Sequence, residues 1–188
     1  SNGNDVLFAD NDKAMFGTGN DLQVFHNATN SIITNSTGNI IVEAKTGENS
    51  VVAVPDGAVT LYHDNAAKIA TSATGVSITG TAVATTDTDT SNTGNITLDF
   101  AANQNFVLTL TGNVTLVNPS TEQVGQSGFL VLIQDGTGGR TLSLGTDYET
   151  AAGAGITLSA AASTTDIVPY IVAASGRILL GAPQLAFA

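Results

Sequence analysis

A chain of 188 residues has room for one good-sized domain or two small ones, with length enough to bury a core. Five basic residues stand against sixteen acidic ones, and only 11% of the chain is charged, which excludes the clustered Lys and Arg of a nucleic-acid or anionic-membrane binder. Hydrophobic residues make up 42%, too many for a disordered chain of this low charge, while the absence of Cys and Trp removes disulfides, thiol catalysis and zinc-thiolate sites and leaves Val, Ile, Leu and Ala to build the core. No apolar run reaches the roughly 18 residues of a membrane span, so no membrane insertion is expected. Ser1-Asn2-Gly3-Asn4 has neither a basic nor an apolar stretch, so no signal peptide is expected, and a start without Met suggests a fragment or a processed product. Abundant Thr, Ser, Asn and Gly suit pleated strands and tight turns, and no good helix-forming stretch stands among them. The composition is that of an all-β chain.

Strands follow one another at short spacing. Asp21–His26 alternates, Asn27–Asn30 turns, and Ser31–Thr34 follows. Ile40–Ala44, Val51–Val54, Ala58–His63 and Val76–Thr79 come next, separated by Lys45–Ser50, by Pro55-Asp56-Gly57 and by a stretch containing Ile69. Val24-Phe25-His26-Asn27-Ala28 returns 37 positions later as Leu61-Tyr62-His63-Asp64-Asn65-Ala66, and Thr-Gly-Asn recurs before Ile40, Ile96 and Val114. Echoes of this kind suggest stacked units that bury their faces only against neighbours. Thr81–Asn92 is poor in bulky residues and reads as a linker, with its centre at 86–91. Beyond it, Ile96, Leu98 and Phe100 share a face, as do Phe106, Leu108 and Leu110, then Val114 and Leu116. Phe129–Ile133 is a continuous apolar run suited to a central strand, Thr141–Leu144 is expected to return antiparallel, and Ile156–Leu158, Ile167–Val172 and Arg177–Leu180 complete the pattern.

The second half carries a resemblance. Gly94–Phe100, Leu110–Leu116, Asn118-Pro119, Gly125–Gly128 and Gln134–Thr141 resemble the C-terminal domain of bacteriophage tail-fibre proteins. Phe16–His26 and Gly75–Gly80 are similar to the repetitive shafts of structural proteins from tailed phages of marine bacteria and cyanobacteria. The resemblance implies a structural virion protein without catalysis, an intertwined homotrimer on an external appendage, partnered by other virion proteins and by a host-surface glycan or outer-membrane receptor. It implies a β-rich shaft over residues 1–85, solenoid- or prism-like, then a linker at 86–91 and an antiparallel β-sandwich or β-prism head over 92–188. Receptor contact would fall to loops of the head, with Asp135, Thr137, Arg140, Asp147 and Tyr148 as candidates. No cofactor is expected. A capsid decoration, cement or head-fibre trimer is the alternative role, and a polysaccharide depolymerase a second.

Each sharper chemistry has a plainer competitor. His26 and His63 occupy equivalent repeat positions and could chelate a metal on a trimer axis, or simply end their strands beside a turn. Asp10-Asn11-Asp12-Lys13 opens like a calcium loop, but Ala14 fails the next ligand position, and Asp87 and Asp89 fit a solvated loop. Gly136–Thr141 lacks the spacing of a phosphate cradle and reads as a hairpin loop, with Arg140 free to pair with an acid across a subunit boundary. Glu43, Glu48, Asp56, Asp64, Glu122 and Glu149 are the acids a glycosidase would need in pairs, but all lie in or near turn-like segments. Asn-x-Thr at Asn27, Asn35, Asn95 and Asn113 is what an Asn- and Thr-rich chain produces by chance.

Overall fold

The computed structural model describes Gly3 and residues 6–188. The reading of residues 1–4 as no signal peptide therefore rests, Gly3 apart, on positions outside the described residues. The chain is all-β and divides into two compact units, one up to Ala82 and one from Val83 onward.

The first unit holds two antiparallel sheets. Strands β1 (Lys13–Phe16), β2 (Leu22–His26) and β3 (Ser31–Asn35) form one, and β4 (Ile40–Lys45), β5 (Glu48–Ala53), β6 (Val59–His63), β7 (Ala66–Ser72) and β8 (Gly75–Ile78) form a meander. Short turns set the register. Asn27 closes the loop between β2 and β3, its Oδ1 accepting from the backbone N–H of Thr29 and Asn30 at 3.1 and 2.7 Å. Asp64 and Asn65, at φ 49° and 56°, make the two-residue turn between β6 and β7 whose twist matches paired strands. Asn65 also ties this turn to the neighbouring hairpin, accepting from Asn49 N–H at 2.7 Å and donating to the Gly47 carbonyl at 2.9 Å.

Register places Val42, Val51, Leu61, Ile69 and Ile78 directly opposite one another, one from each strand of the meander. A straight apolar row thus crosses one face of the sheet. Val42, Leu61, Ile69 and Ile78 are exposed, and Val52, still 8% exposed, is the one buried hydrophobic residue among the described residues of this unit.

The second unit is built on a single eight-stranded mixed sheet that curls into a half-barrel. Its strands are β9 (Thr86–Ile96), β10 (Asn105–Leu116), β11 (Ser127–Gln134), β12 (Leu142–Leu144), β13 (Tyr148–Glu149), β14 (Thr165–Ala174), β15 (Arg177–Leu180) and β16 (Gln184–Phe187). They run in the order β12-β10-β11-β14-β15-β13, with β9 on β10 and β16 on β14. Alternation along β10, β11 and β14 sends Phe106, Leu108, Leu110, Leu130, Leu132, Val168 and Val172 inward, each at most 1% exposed. Phe100 and Phe106 pack at 5.0 Å, and Tyr170 meets Phe100 edge-on at 5.3 Å, which makes an aromatic centre for an otherwise aliphatic core.

Several local expectations are corrected. Residues 86–91 are the first half of β9, paired in parallel with β10 from Thr86↔Asn105 to Asp89↔Leu108, and not a linker. A strand with few bulky side chains persists here because β10 supplies the ladder, and because buried Asn92 donates to the carbonyls of Asp89 and Thr109 at 3.2 and 3.1 Å. Thr141–Leu144 does not return antiparallel: Leu142–Leu144 pairs in parallel with Val114–Leu116. The β10–β11 and β13–β15 pairs are parallel too, so the second unit is a curled mixed sheet where an antiparallel sandwich or prism was expected. Residues 97–100 and 156–158 form no strand, although Leu98 and Phe100 are core and Ile156 and Leu158 pack against it.

Candidate functional site

The loops of the second unit that leave β11 and β12 form one continuous surface. The first loop, Asp135–Arg140, is fixed from within. Asp135 Oδ1 accepts from Thr137 N–H at 3.0 Å and Gly138 N–H at 2.9 Å, and Arg140 closes the loop onto Asp135 Oδ2 at 2.7 Å. Buried Gln134 seals its base, donating to the Arg140 carbonyl and accepting from Arg140 N–H at 2.9 and 2.8 Å. Gly138 and Gly139 take φ of 73° and 71°, and a Cβ on Gly138 would run into the Ala160 carbonyl at 2.5 Å, so glycine is required there.

The Arg140 hydrogen bond, with help from the Gly138 N–H, lowers the Asp135 carboxyl from its ordinary 3.8 to about 2. A folded value below the unfolded one means that the pair stabilises the unit above the ordinary value and ceases to do so as pH falls toward 2. Asp135→Asn is therefore expected to melt below the parent chain near neutral pH, with the two melting curves converging as pH approaches about 2. A gap that stays constant across the acid titration contradicts the assignment.

The second loop runs from Gly145 to Gly155, interrupted by the two-residue strand β13 and a short 3-10 turn at Ala151–Gly153. Asn118 ties its start, donating to Thr146 Oγ1 at 2.8 Å and accepting from Asp147 N–H at 3.1 Å. Glu149 binds Arg177 through two bonds of 2.9 and 3.1 Å, and Gly155 N–H donates to Thr150 Oγ1 at 2.8 Å. Between these anchors lies an open recess of about 700 Å³, lined by Ser143, Thr146, Glu149 and Thr150 with backbone from Gly153–Gly155. Leu142 and Ile156 line both this recess and a smaller one of about 180 Å³ beside Gly139–Thr141, which joins the two loops into one face.

The five expected receptor residues divide accordingly. Thr137 is exposed at the tip of the first loop. Asp135 and Arg140 are spent on each other within one chain, so Arg140 is not free for an acid of another subunit. Asp147 is half-buried, with its carbonyl accepting from Ile178 N–H at 2.7 Å. Tyr148 is core, 5% exposed, and burial together with the Asp147 and Glu122 charges pushes its hydroxyl pKa well up. It looks like a loop residue only because it sits between two acids. Ser143, Thr146 and Thr150, which line the recess, carry no sequence signal beyond a Thr-rich background.

The other candidates are spread out. His26 and His63 are exposed strand ends in different sheets, each facing away from its half-buried neighbour Phe25 or Tyr62. Asp12 accepts from Ala9 N–H at 3.2 Å, and among the described residues no three His, Asp or Glu side chains gather as a metal site. Asp87 and Asp89 belong to β9. Glu122 and Glu149 both support the turn between β14 and β15: Glu122 accepts from Gly176 N–H at 2.8 Å, which lowers its carboxyl pKa, while Glu149 holds Arg177.

Residues 85–176 match the family described as "Putative phage tail fibre C-terminal domain". The second unit is a phage tail fibre domain. Comparison with curated proteins and with solved structures gives no match. The matched span opens one residue before β9 and ends in the turn before β15, so it takes in β9 to β14 and both loops of the recess face and leaves out β15 and β16. A domain of this family gives the second unit a structural role in a phage tail fibre, an external appendage of the virion.

Proposed function

We propose that the chain is the C-terminal part of a homotrimeric tail fibre and that it adheres to the host cell surface through the recess face of the tail fibre domain. The observation that carries the trimer is the first unit's lack of a core. Two sheets with Val52 as their one buried apolar side chain, and a bare row of Val42, Leu61, Ile69 and Ile78, cannot offset the entropy of ordering their strands. Three chains wrapped together cover these faces, at roughly 25 cal/mol per Å² of apolar area, and closed threefold symmetry leaves no free edge.

Adhesion is supported by the chemistry of the recess. Ser143, Thr146 and Thr150 hydroxyls with backbone amides suit a neutral, hydroxyl-rich ligand such as a surface glycan, and anchored loops lose little entropy on binding. Weak sites become effective by repetition, three to a fibre and several fibres to a particle. Catalysis fits poorly, since Asp135, Glu122 and Glu149 already hold structural partners.

Sedimentation of the full chain is expected to give three times 18.9 kDa. That trimer, incubated with host cells, is expected to slow adsorption of the phage. A compact species at 18.9 kDa removes the trimer, and unchanged adsorption in excess protein removes adhesion.

A further inference from the structure

The neighbouring strands β11 and β14 of the tail fibre domain are apolar on both sides along most of their length. Their inner side is the core. On the outer side, register aligns Thr88, Val107, Val131 and Ile167 across four strands, β9, β10, β11 and β14. Beside that row Phe129 stands opposite Pro169, and Ile171 opposite Leu179. Phe129 is 50% and Ile171 46% exposed, and none of these residues is charged. A one-sided sheet alternates polar with apolar, whereas strands that are apolar throughout are characteristic of sheets covered on both faces.

We infer that this outer face, centred on Phe129, Val131, Ile167 and Ile171, is the surface by which the tail fibre domain packs against the same domain of another copy of the chain. The inference rests on the trimer proposed above. Charge selects the occupant. Each copy carries a net charge of −11, so two copies repel wherever acidic surfaces meet, and an uncharged apolar face is where like chains approach at least electrostatic cost. A basic partner protein would instead seek the acidic surfaces, and a glycan the hydroxyl-lined recess. The face also explains Phe129–Ile133 as an unbroken apolar run: Leu130 and Leu132 serve one chain's core, while Phe129, Val131 and Ile133 serve the contact between chains.

The chain has no cysteine, so a single introduced thiol is a unique probe. Phe129→Cys in the full-length trimer is expected to react with a water-soluble maleimide about tenfold or more slower than Val124→Cys, placed at a 68% exposed position off this face. Adding Ile171→Asp to Phe129→Cys sets a carboxylate beside the probe on every copy. It is expected to raise labelling to the Val124→Cys rate while the near-ultraviolet signal of the buried tyrosines persists, showing the inner core intact. A trimer in which Phe129→Cys labels as fast as Val124→Cys overturns this interface and leaves the trimer standing. Protection that survives Ile171→Asp overturns it as well. A wild-type chain that sediments as a monomer removes the trimer and this interface together.

Discussion

Phe106→Ala is expected to remove about 3–5 kcal/mol of stability from the tail fibre domain, because the side chain is fully buried and its neighbours cannot close the void. Phe106, the second residue of β10, is paired with Asp87 on one side and Leu130 on the other. Its ring packs at a tilt against Phe100 at 5.0 Å and Tyr170 at 6.4 Å, while its own strand is held by β9 on one edge and β11 on the other. A backbone paired on both edges resists collapse into the space left behind, which puts the loss toward the upper end of that range. Thermal unfolding followed by near-ultraviolet dichroism reads the result: at about 4–8 °C per kcal/mol for a domain of this size, a fall of well over ten degrees is expected. A shift of only a degree or two contradicts the core described for this unit.

Gly128→Ala is expected to be comparably damaging, through crowding. Gly128 pairs with Tyr170 across β11 and β14, and the Tyr170 ring lies over it to donate a 2.6 Å hydrogen bond to the Gln104 carbonyl. An added Cβ collides with that same carbonyl and comes within 3.0 Å of both Asn105 Oδ1 and the Tyr170 hydroxyl. Backbone cannot swing aside as a flexible side-chain tip does, so the strand must shift at a cost of about 3 kcal/mol or more. Burial pushes the Tyr170 hydroxyl up to about 12 in the parent chain. Spectrophotometric titration of Gly128→Ala is expected to show a tyrosine ionising closer to the ordinary 10. An unchanged titration together with unchanged melting contradicts this account of the glycine.

The all-β class and the inward rows of β10, β11 and β14 were legible because period-2 alternation survives wherever one face meets a core. The same signal fails in three instructive places. In β9, Thr86–Ser91 has no alternation of large and small side chains, since the strand is held by its ladder to β10 and by one buried amide, Asn92. At Tyr148, flanking acids mimic a solvent loop, although Asp147 and Glu149 both turn to the β14–β15 hairpin and leave the ring for the core. Asp135 and Arg140 look like free recognition groups until Gly138 and Gly139 curl the loop and bring them together. Sequence shows which side chains could act outward. Only the path of the chain between them shows which have already been used.

The parallel pairing of β10 has a kinetic consequence. No short turn can join parallel neighbours, so β9, β11 and β12 each reach β10 only after an intervening stretch of chain has been ordered. The Tyr170 bond to Gln104 closes a loop of 66 residues. Contacts so distant along the chain place this domain among slow folders, with the apolar strands β10 and β11 open to mispairing until the sheet is complete. The meander of the first unit, all neighbouring hairpins, has no such delay. On a ribosome it would emerge before the tail fibre domain and its strands would pair early, holding a row of apolar side chains in water while that domain is still being made.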